Sequence, residues 1–243
     1  MMFDEPDLAD KTALITGGSA GIGRAIALAF AARGAEVWIT GRRREPLEET
    51  AALGEGRIHW RALDVTDLAA NTALADSISS SSGSLDILIN NAAILGPMGS
   101  LEHTDLDEVR AVWDVNIHGV YVTTKVMLPL MRRAGPGACV INLSSGVGRQ
   151  GRAEWGPYAA SKFALEGLTQ CWADELKDQG VSVFALNPGA TATTMRATAK
   201  PQEDPKTLPQ PADLLPAFLY LLSEQAREKE VPGASIDARD FLS

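Results

Sequence analysis

Cysteine and histidine are scarce in this chain, with two of the first and three of the second among 243 residues. Cys139 and Cys171 fall inside apolar patterns with no metal-ligand spacing, so two buried, reduced thiols are expected rather than a disulfide framework. His59, His103 and His118 are scattered and form no HExxH or related constellation, which speaks against a metal site. Positive charge is also in deficit: 22 basic residues stand against 31 acidic ones, for a net charge of −9. That balance argues against nucleic acid or an anionic membrane as the main partner. No apolar run approaches the ~18 residues of a membrane span, and residues 1–11 are acidic with no apolar leader core. A cytoplasmic location is the expectation.

What is present is the composition of a folded α/β protein, 45% hydrophobic and 22% charged, in a chain long enough to bury a substantial core. Short β-branched or apolar runs alternate with helical patterns: strands are read at 12–16, 36–40, 57–63, 85–89, 138–143, 181–186 and 234–236. Helices are read at 22–33, 66–79, 105–133, from Pro157 onward, and at 212–222. The second of these has Thr66 or Asp67 as its N-cap, and the Ser-rich piece at 79–84 reads as an exposed turn. This alternation predicts one domain over 1–243, a Rossmann-type doubly wound parallel sheet of about seven strands in three α/β/α layers. Residues 190–211, rich in Thr, Ala, Lys and Pro, break the regular texture and read as a substrate lid.

The first strand runs into Gly17-Gly18-Ser19-Ala20-Gly21-Ile22-Gly23 and then a helix. In that context, glycines let the backbone approach a pyrophosphate and the helix start offers free N–H groups to it. The spacing is Gly-x-x-x-Gly-x-Gly, and a purely structural Gly-rich turn is the competing reading. The second strand ends in Gly41-Arg42-Arg43-Arg44, where a carboxylate would read a ribose 2′-hydroxyl. Guanidinium groups there favour a 2′-phosphate, hence NADP(H) over NAD(H). The fourth strand ends in Asn90-Asn91-Ala92-Ala93, the position at which parallel sheets place ligand contacts. Asn116 falls on the apolar face of its helix and needs buried partners, either as a structural bridge or as part of a site; the pattern alone favours the bridge.

Residues 142–162 carry the chemistry. Pro157 and the apolar residues Ala160, Phe163, Ala164, Gly167, Leu168, Cys171 and Trp172 mark a helix on which Tyr158 and Lys162 lie one turn apart. A cation beside a phenol favours the phenolate, making Tyr158 a proton donor and acceptor.

Thr16-Gly17-x-x-x-Gly21-Ile22-Gly23, Asp64-Val65, Asn90-Asn91-Ala92, Asn116, Ser145, Tyr158-x-x-x-Lys162 and Asn187-Pro188-Gly189 together resemble the short-chain dehydrogenase/reductase family. The resemblance covers nearly the whole chain, and the run from Ser144 to Lys162 is similar to a bacterial subgroup of mostly uncharacterised oxidoreductases. It implies that Tyr158 exchanges a proton with a carbonyl or alcohol oxygen and that Ser145, thirteen residues upstream, hydrogen-bonds that oxygen. Lys162 would hold the nicotinamide ribose and lower the tyrosine pKa, and Asn116 would anchor a relay water, reversing the pattern-based reading. By the same resemblance, NADP(H) would contact Gly17, Ser19, Gly21, Ile22, Gly23, Arg42, Arg43, Asp64, Val65, Asn91, Ala92, Tyr158, Lys162, Pro188, Gly189 and Thr191. The implied activity is reduction of a ketone or aldehyde, or oxidation of the alcohol. A non-catalytic NADP(H)-binding sensor or scaffold, or an enoyl reductase or epimerase, are the alternatives. Two features depart from the family pattern: Ala93 stands where Gly is usual, and the end from Gly233 lacks Val-Asp-Gly-Gly. A homodimer or homotetramer on the helices from Asp105 and Pro157 is implied. Leu95, Met98, Gly146, Arg149, Trp155 and Met195 are candidate substrate contacts; Arg149 and Arg152 read as surface arginines in preference to a substrate-carboxylate pair.

Overall fold

The computed structural model describes residues 3–242. In chain order the elements are β1 (Thr12–Thr16), α1 (Gly21–Ala31), β2 (Glu36–Gly41), α2 (Arg44–Ala52), β3 (Ile58–Ala62) and α3 (Leu68–Ser82). They continue with β4 (Ile87–Asn90), α4 (Leu106–Trp113), α5 (Val120–Ala134), β5 (Ala138–Leu143) and α6 (Gly156–Leu176). The chain closes with β6 (Val181–Asn187), α7 (Thr194–Ala199), α8 (Leu215–Leu222), α9 (Glu224–Lys229) and β7 (Ser235–Asp237). All seven strands are parallel, in the order β3-β2-β1-β4-β5-β6-β7. The order reverses between β1 and β4, and the crevice beyond their carboxyl ends is where doubly wound sheets bind ligands.

Side-chain alternation sorts the strands between two cores. Ala13, Ile15, Ile39, Ile89, Ile141 and Leu186 face α1 and α8, meeting Ile26, Phe30, Phe218 and Leu221. Leu14, Trp38, Leu88, Val140 and Val183 point the other way, onto Leu74, Met127, Leu130, Leu165 and Trp172 of α3, α5 and α6. Strands buried on both faces have no polar side to alternate with, which is why their sequences read as continuous apolar runs.

Local chemistry sets the ends. Asp67 caps α3 by accepting from the Ala70 N–H at 3.0 Å. The helix extends through Ser82 and stops at left-handed Gly83, so much of the expected Ser-rich turn at 79–84 is helical, its Ser80 and Ser82 hydroxyls bonding back to carbonyls four residues earlier.

The continuous helix expected over 105–133 is interrupted. A π-helical turn, Asp114–Gly119, separates α4 from α5 and widens the helix at Asn116. α2 and α9 were not read as elements, and α7 lies inside the segment expected to be irregular. Cys139 is buried as expected, but Cys171 is exposed. The reason is that α6 turns Tyr158, Ser161, Lys162, Leu165, Glu166 and Thr169 inward. The side of the helix that carries Phe163 and Cys171 faces out, with Phe163 at 46% exposure; Trp113 and Tyr121 are similarly exposed at 44% and 47%. No helix among the described residues is long and apolar enough to cross a membrane.

Candidate active site

Two clefts open at the carboxyl ends of the strands. The first, about 590 Å³, is bordered by the glycine turn, Arg42, Arg43, Asp64, Val65, Asn91, Ala92, Lys162 and Pro188. The second, about 500 Å³, is bordered by Ser145, Gly146, Trp155, Leu95, Met195, Gly189 and Arg239. Tyr158 lines both.

The glycine turn is held open by what its glycines lack. A Cβ on Gly23 would stand 2.4 Å from the Gly17 carbonyl oxygen, and one on Gly17 2.8 Å from the Asn91 side-chain nitrogen. Asn91 is fixed there because its Nδ2 donates to the Thr16 and Gly17 carbonyls at 2.8 and 3.1 Å, while the Thr16 hydroxyl accepts the Asn91 and Ala92 N–H groups. Helix α1 starts after Ala20 with no side-chain cap, so its first N–H groups face the cleft unclaimed by a side chain, as a bound phosphate requires. Further along, Arg44 turns away to Glu48 (2.8 Å) and the Trp60 ring. Arg42 and Arg43 line the cleft and, among the described residues, have no carboxylate within 4.0 Å. The Thr66 amide and hydroxyl both donate to Asp64, and its carboxyl is held below the usual range chiefly by that amide. These residues fit a dinucleotide with a 2′-phosphate: a cradle that Cβ atoms would fill, free N–H groups, and two unpaired guanidinium groups.

At the junction, Tyr158 sits in a small apolar cluster with Leu95, Val147 and Ala159, against Trp155 and Met195. Burial pushes its phenol up to about 12, and a hydrogen bond from Ser145 works in the opposite direction. The expectation that Lys162 lowers this pKa is therefore corrected. The lysine Nζ is 5.5 Å from the phenol ring centre and donates to the Leu143 carbonyl at 2.7 Å, and the phenol's shift is set by desolvation against the Ser145 hydrogen bond. Lys162 is itself buried and brought down to about 8 by desolvation, with Glu166 acting to raise it. Glu166 is buried one turn on, accepting hydrogen bonds from Ser144 and from Ser235 (2.9 Å).

Asn116 borders neither cleft. Its Oδ1 accepts the Ile94 N–H at 2.9 Å, while Nδ2 donates to the Ile94 carbonyl (2.9 Å) and to Ser161 Oγ (3.0 Å). The side chain is a structural bridge, as the pattern alone suggested: both Nδ2 hydrogens and one Oδ1 lone pair are engaged within the protein. Thr191 is also placed differently from expectation. It is buried, its hydroxyl donates to Pro188 O at 3.1 Å, and it lies off the first cleft. Thr193, which caps α7 through Arg196 N, lines both clefts instead. Gly189 borders the second cleft, and Gly23 acts through helix packing. Arg149 is committed to Asp237 by two hydrogen bonds, at 2.7 and 3.0 Å. Thr193, Glu166 and Arg239 were not singled out from the sequence; Glu166 had a signal, one turn beyond Lys162 on the same face.

The profile of the short chain dehydrogenase family matches residues 11–204. The uncharacterised oxidoreductase YciK of Escherichia coli K12 is 40% identical over 238 residues, 96% of this chain and 93% of its own. A 3alpha-hydroxysteroid dehydrogenase of Mediterraneibacter gnavus is 33% identical, covering 90% of this chain and 92% of that one. A crystal structure of a short chain dehydrogenase from Shigella flexneri complexed with NADP superposes with a TM-score of 0.91 at 37% identity, covering 97% of this chain and 100% of that one.

Proposed function

The chain belongs to the short-chain dehydrogenase family, and on that premise we propose that it is an NADP(H)-dependent oxidoreductase interconverting a ketone or aldehyde with the alcohol. One observation carries the reading: the Tyr158 phenol stands where the two clefts meet, with Lys162 on one side and Ser145 on the other. NADP(H), when bound in the first cleft, supplies or accepts the hydride. Arg42 and Arg43 hold the 2′-phosphate, and the start of α1 with Thr193 faces the pyrophosphate; the NADP bound by the Shigella relative supports the preference.

A phenol kept protonated by burial is the acid that carbonyl reduction needs, because the oxygen gains a proton as the carbon is reduced. Ser145 hydrogen-bonds the same oxygen and orients it toward the phenol. The Lys162 ammonium, which lines the first cleft, is the form that would hold the nicotinamide ribose beside the phenol. Any relay function of Asn116 falls to its main chain in the widened turn. Residues around 190–211 border both clefts through Thr193 and Met195 and act as the lid over substrate. The hydroxysteroid dehydrogenase activity named for one relative supports alcohol–carbonyl chemistry in this cleft. The outward apolar residues Trp113, Tyr121 and Phe163 are the face for a homo-oligomer.

The test is a panel of ketones, aldehydes and secondary alcohols followed at the nicotinamide absorbance, with Tyr158→Phe alongside. The expected result is turnover by the wild type and a loss of about 10²–10⁴-fold in the variant, with NADPH affinity retained. Wild-type rates in the Tyr158→Phe variant overturn the mechanism. NADPH binding without turnover of any panel member points to the non-catalytic sensor.

A further inference from the structure

The second cleft carries a charge pattern that hydride chemistry alone does not require. Its polar wall holds Arg152, Arg196, Arg239, Asp237 and Asp240. Two neighbouring guanidinium groups are already paired, Arg149 with Asp237 and Arg196 with Glu203, each through two hydrogen bonds. Arg152 and Arg239 have no carboxylate within 4.0 Å among the described residues. Counting Asp240, four guanidinium groups face three carboxylates and leave one positive charge. In a chain of net charge −9, a cationic cleft is a local feature and not a reflection of bulk charge.

Arg239 occupies a made position. It lies across Gly189, on the turn that ends β6. A Cβ on Gly189 would stand 2.8 Å from Arg239 Nε and 3.4 Å from its Cγ, and Gly189 has φ +69°, where other residues are strained. The glycine therefore opens the lane in which the guanidinium lies, on the same cleft as Ser145 and Tyr158. The same cleft also has an apolar cluster in its lining: Leu95, Val147, Trp155, Met195 and Ala199.

We infer that the carbonyl substrate carries a carboxylate on an apolar body, and that Arg239 is the residue that binds it. The inference rests on the carbonyl reductase reading for the identity of the second cleft. A carboxylate matches the planar fork of a guanidinium, and a single excess positive charge suits a monoanion better than a phosphate dianion. Arg239 thereby becomes a specificity-determining residue, contributed by the stretch of the C-terminus that departs from the family's Val-Asp-Gly-Gly pattern.

The experiment uses two ketones of matched shape, 4-oxo-4-phenylbutanoate and butyrophenone, on the wild type, Arg239→Gln and Arg239→Lys. Binding of the unreactive 4-phenylbutanoate and 4-phenylbutan-1-ol to the NADPH-loaded protein is measured by calorimetry. The wild type is expected to favour the keto acid, and Arg239→Gln to lower the acid-to-neutral ratio of kcat/KM about tenfold to hundredfold, the span of a charge-assisted hydrogen bond. Arg239→Lys should fall between, because it keeps the charge and loses the fork. 4-Phenylbutanoate should bind more tightly than the alcohol and lose that advantage in Arg239→Gln, with thermal melting showing that both variants fold. An equal ratio in wild type and Arg239→Gln, or equal binding of acid and alcohol, overturns the assignment. Arg239-dependent binding of the acid with no turnover of either ketone upholds the carboxylate site and overturns the catalytic reading instead.

Discussion

Replacing Glu166 by Gln removes one charge from beside Lys162 while leaving an oxygen to accept from Ser144 and Ser235. The lysine is buried, and desolvation brings its pKa from 10.5 down to about 8, with the Glu166 carboxylate holding it up. The two residues are four apart on α6, which sets their Cβ atoms roughly 5–6 Å from one another. At about 6 Å and an effective dielectric near 20, the attraction is about 3 kcal/mol, or roughly two pH units as an upper figure. The working expectation is a downward shift of about one to two units in the pKa of the lysine. In the proposed mechanism the ammonium is the active form, so the alkaline limb of kcat/KM for the free enzyme moves to lower pH by that amount. At pH 6 the variant approaches the wild type, and near pH 8 it falls well below it. The assay is the full pH profile of kcat/KM with circular dichroism at each pH. A profile that keeps its shape and loses height, or an alkaline limb that moves upward, refutes the electrostatic argument and leaves Glu166 a merely structural acceptor.

Other outcomes are equally specific. Replacing Arg42 and Arg43 with Ala should weaken NADPH far more than NADH, by about 10–100-fold for the loss of charge-assisted bonds to a phosphate; equal losses contradict the 2′-phosphate assignment. Gly23→Ala presses a methyl onto the Gly17 carbonyl and should cost about 1–3 kcal/mol of stability by denaturant titration, with NADPH binding lost in the same variant. Lys162→Met should change how stability depends on pH. The folded-state pKa of Lys162 lies below its unfolded value, so the wild type carries a cost below about pH 8 that fades as pH rises toward 10.5. The wild type should gain about 3 kcal/mol relative to Lys162→Met across that window, and a constant difference would show that the lysine is not buried as described. Phe163→Asp should convert an oligomer to monomers in light scattering; an unchanged mass places the interface elsewhere.

The fold was legible because its signals are local. β1 is a β-branched run ending in glycines, β4 and β5 are continuous apolar segments, and Asp67 caps α3. The pieces that escaped are tertiary. Arg149 and Asp237 lie 88 residues apart, and no spacing rule joins them. The π turn at Asp114–Gly119 carries no proline and no glycine before its last residue, so nothing in its composition announces it. The threonines at 191, 193 and 194 offer the same chemistry within four positions. Only the course of the chain into α7 decides that Thr191 is spent on Pro188 and that Thr193 faces the cleft.

α6 shows why a correct motif can sit beside a wrong burial assignment. An amphipathic helix usually turns its apolar stripe to the core, and by that rule Phe163 and Cys171 belong inside. Here the polar residues go in: Tyr158, Ser161, Lys162, Glu166 and Thr169 are buried, each with partners that meet its polar groups. Burying a lysine costs several kcal/mol unless it is compensated, and here the compensation is the Leu143 carbonyl and the charge of Glu166. Phe163 and Cys171 are displaced to the surface, while Leu165, Trp172 and Leu176 keep to the core. The inner face of the helix near the clefts holds polar side chains, and the outer face with Phe163 is where the proposed homo-oligomer would form. On this argument, replacing Lys162 and Glu166 together with apolar residues should raise stability at neutral pH while ending turnover. A double variant that is both less stable and still active would refute it.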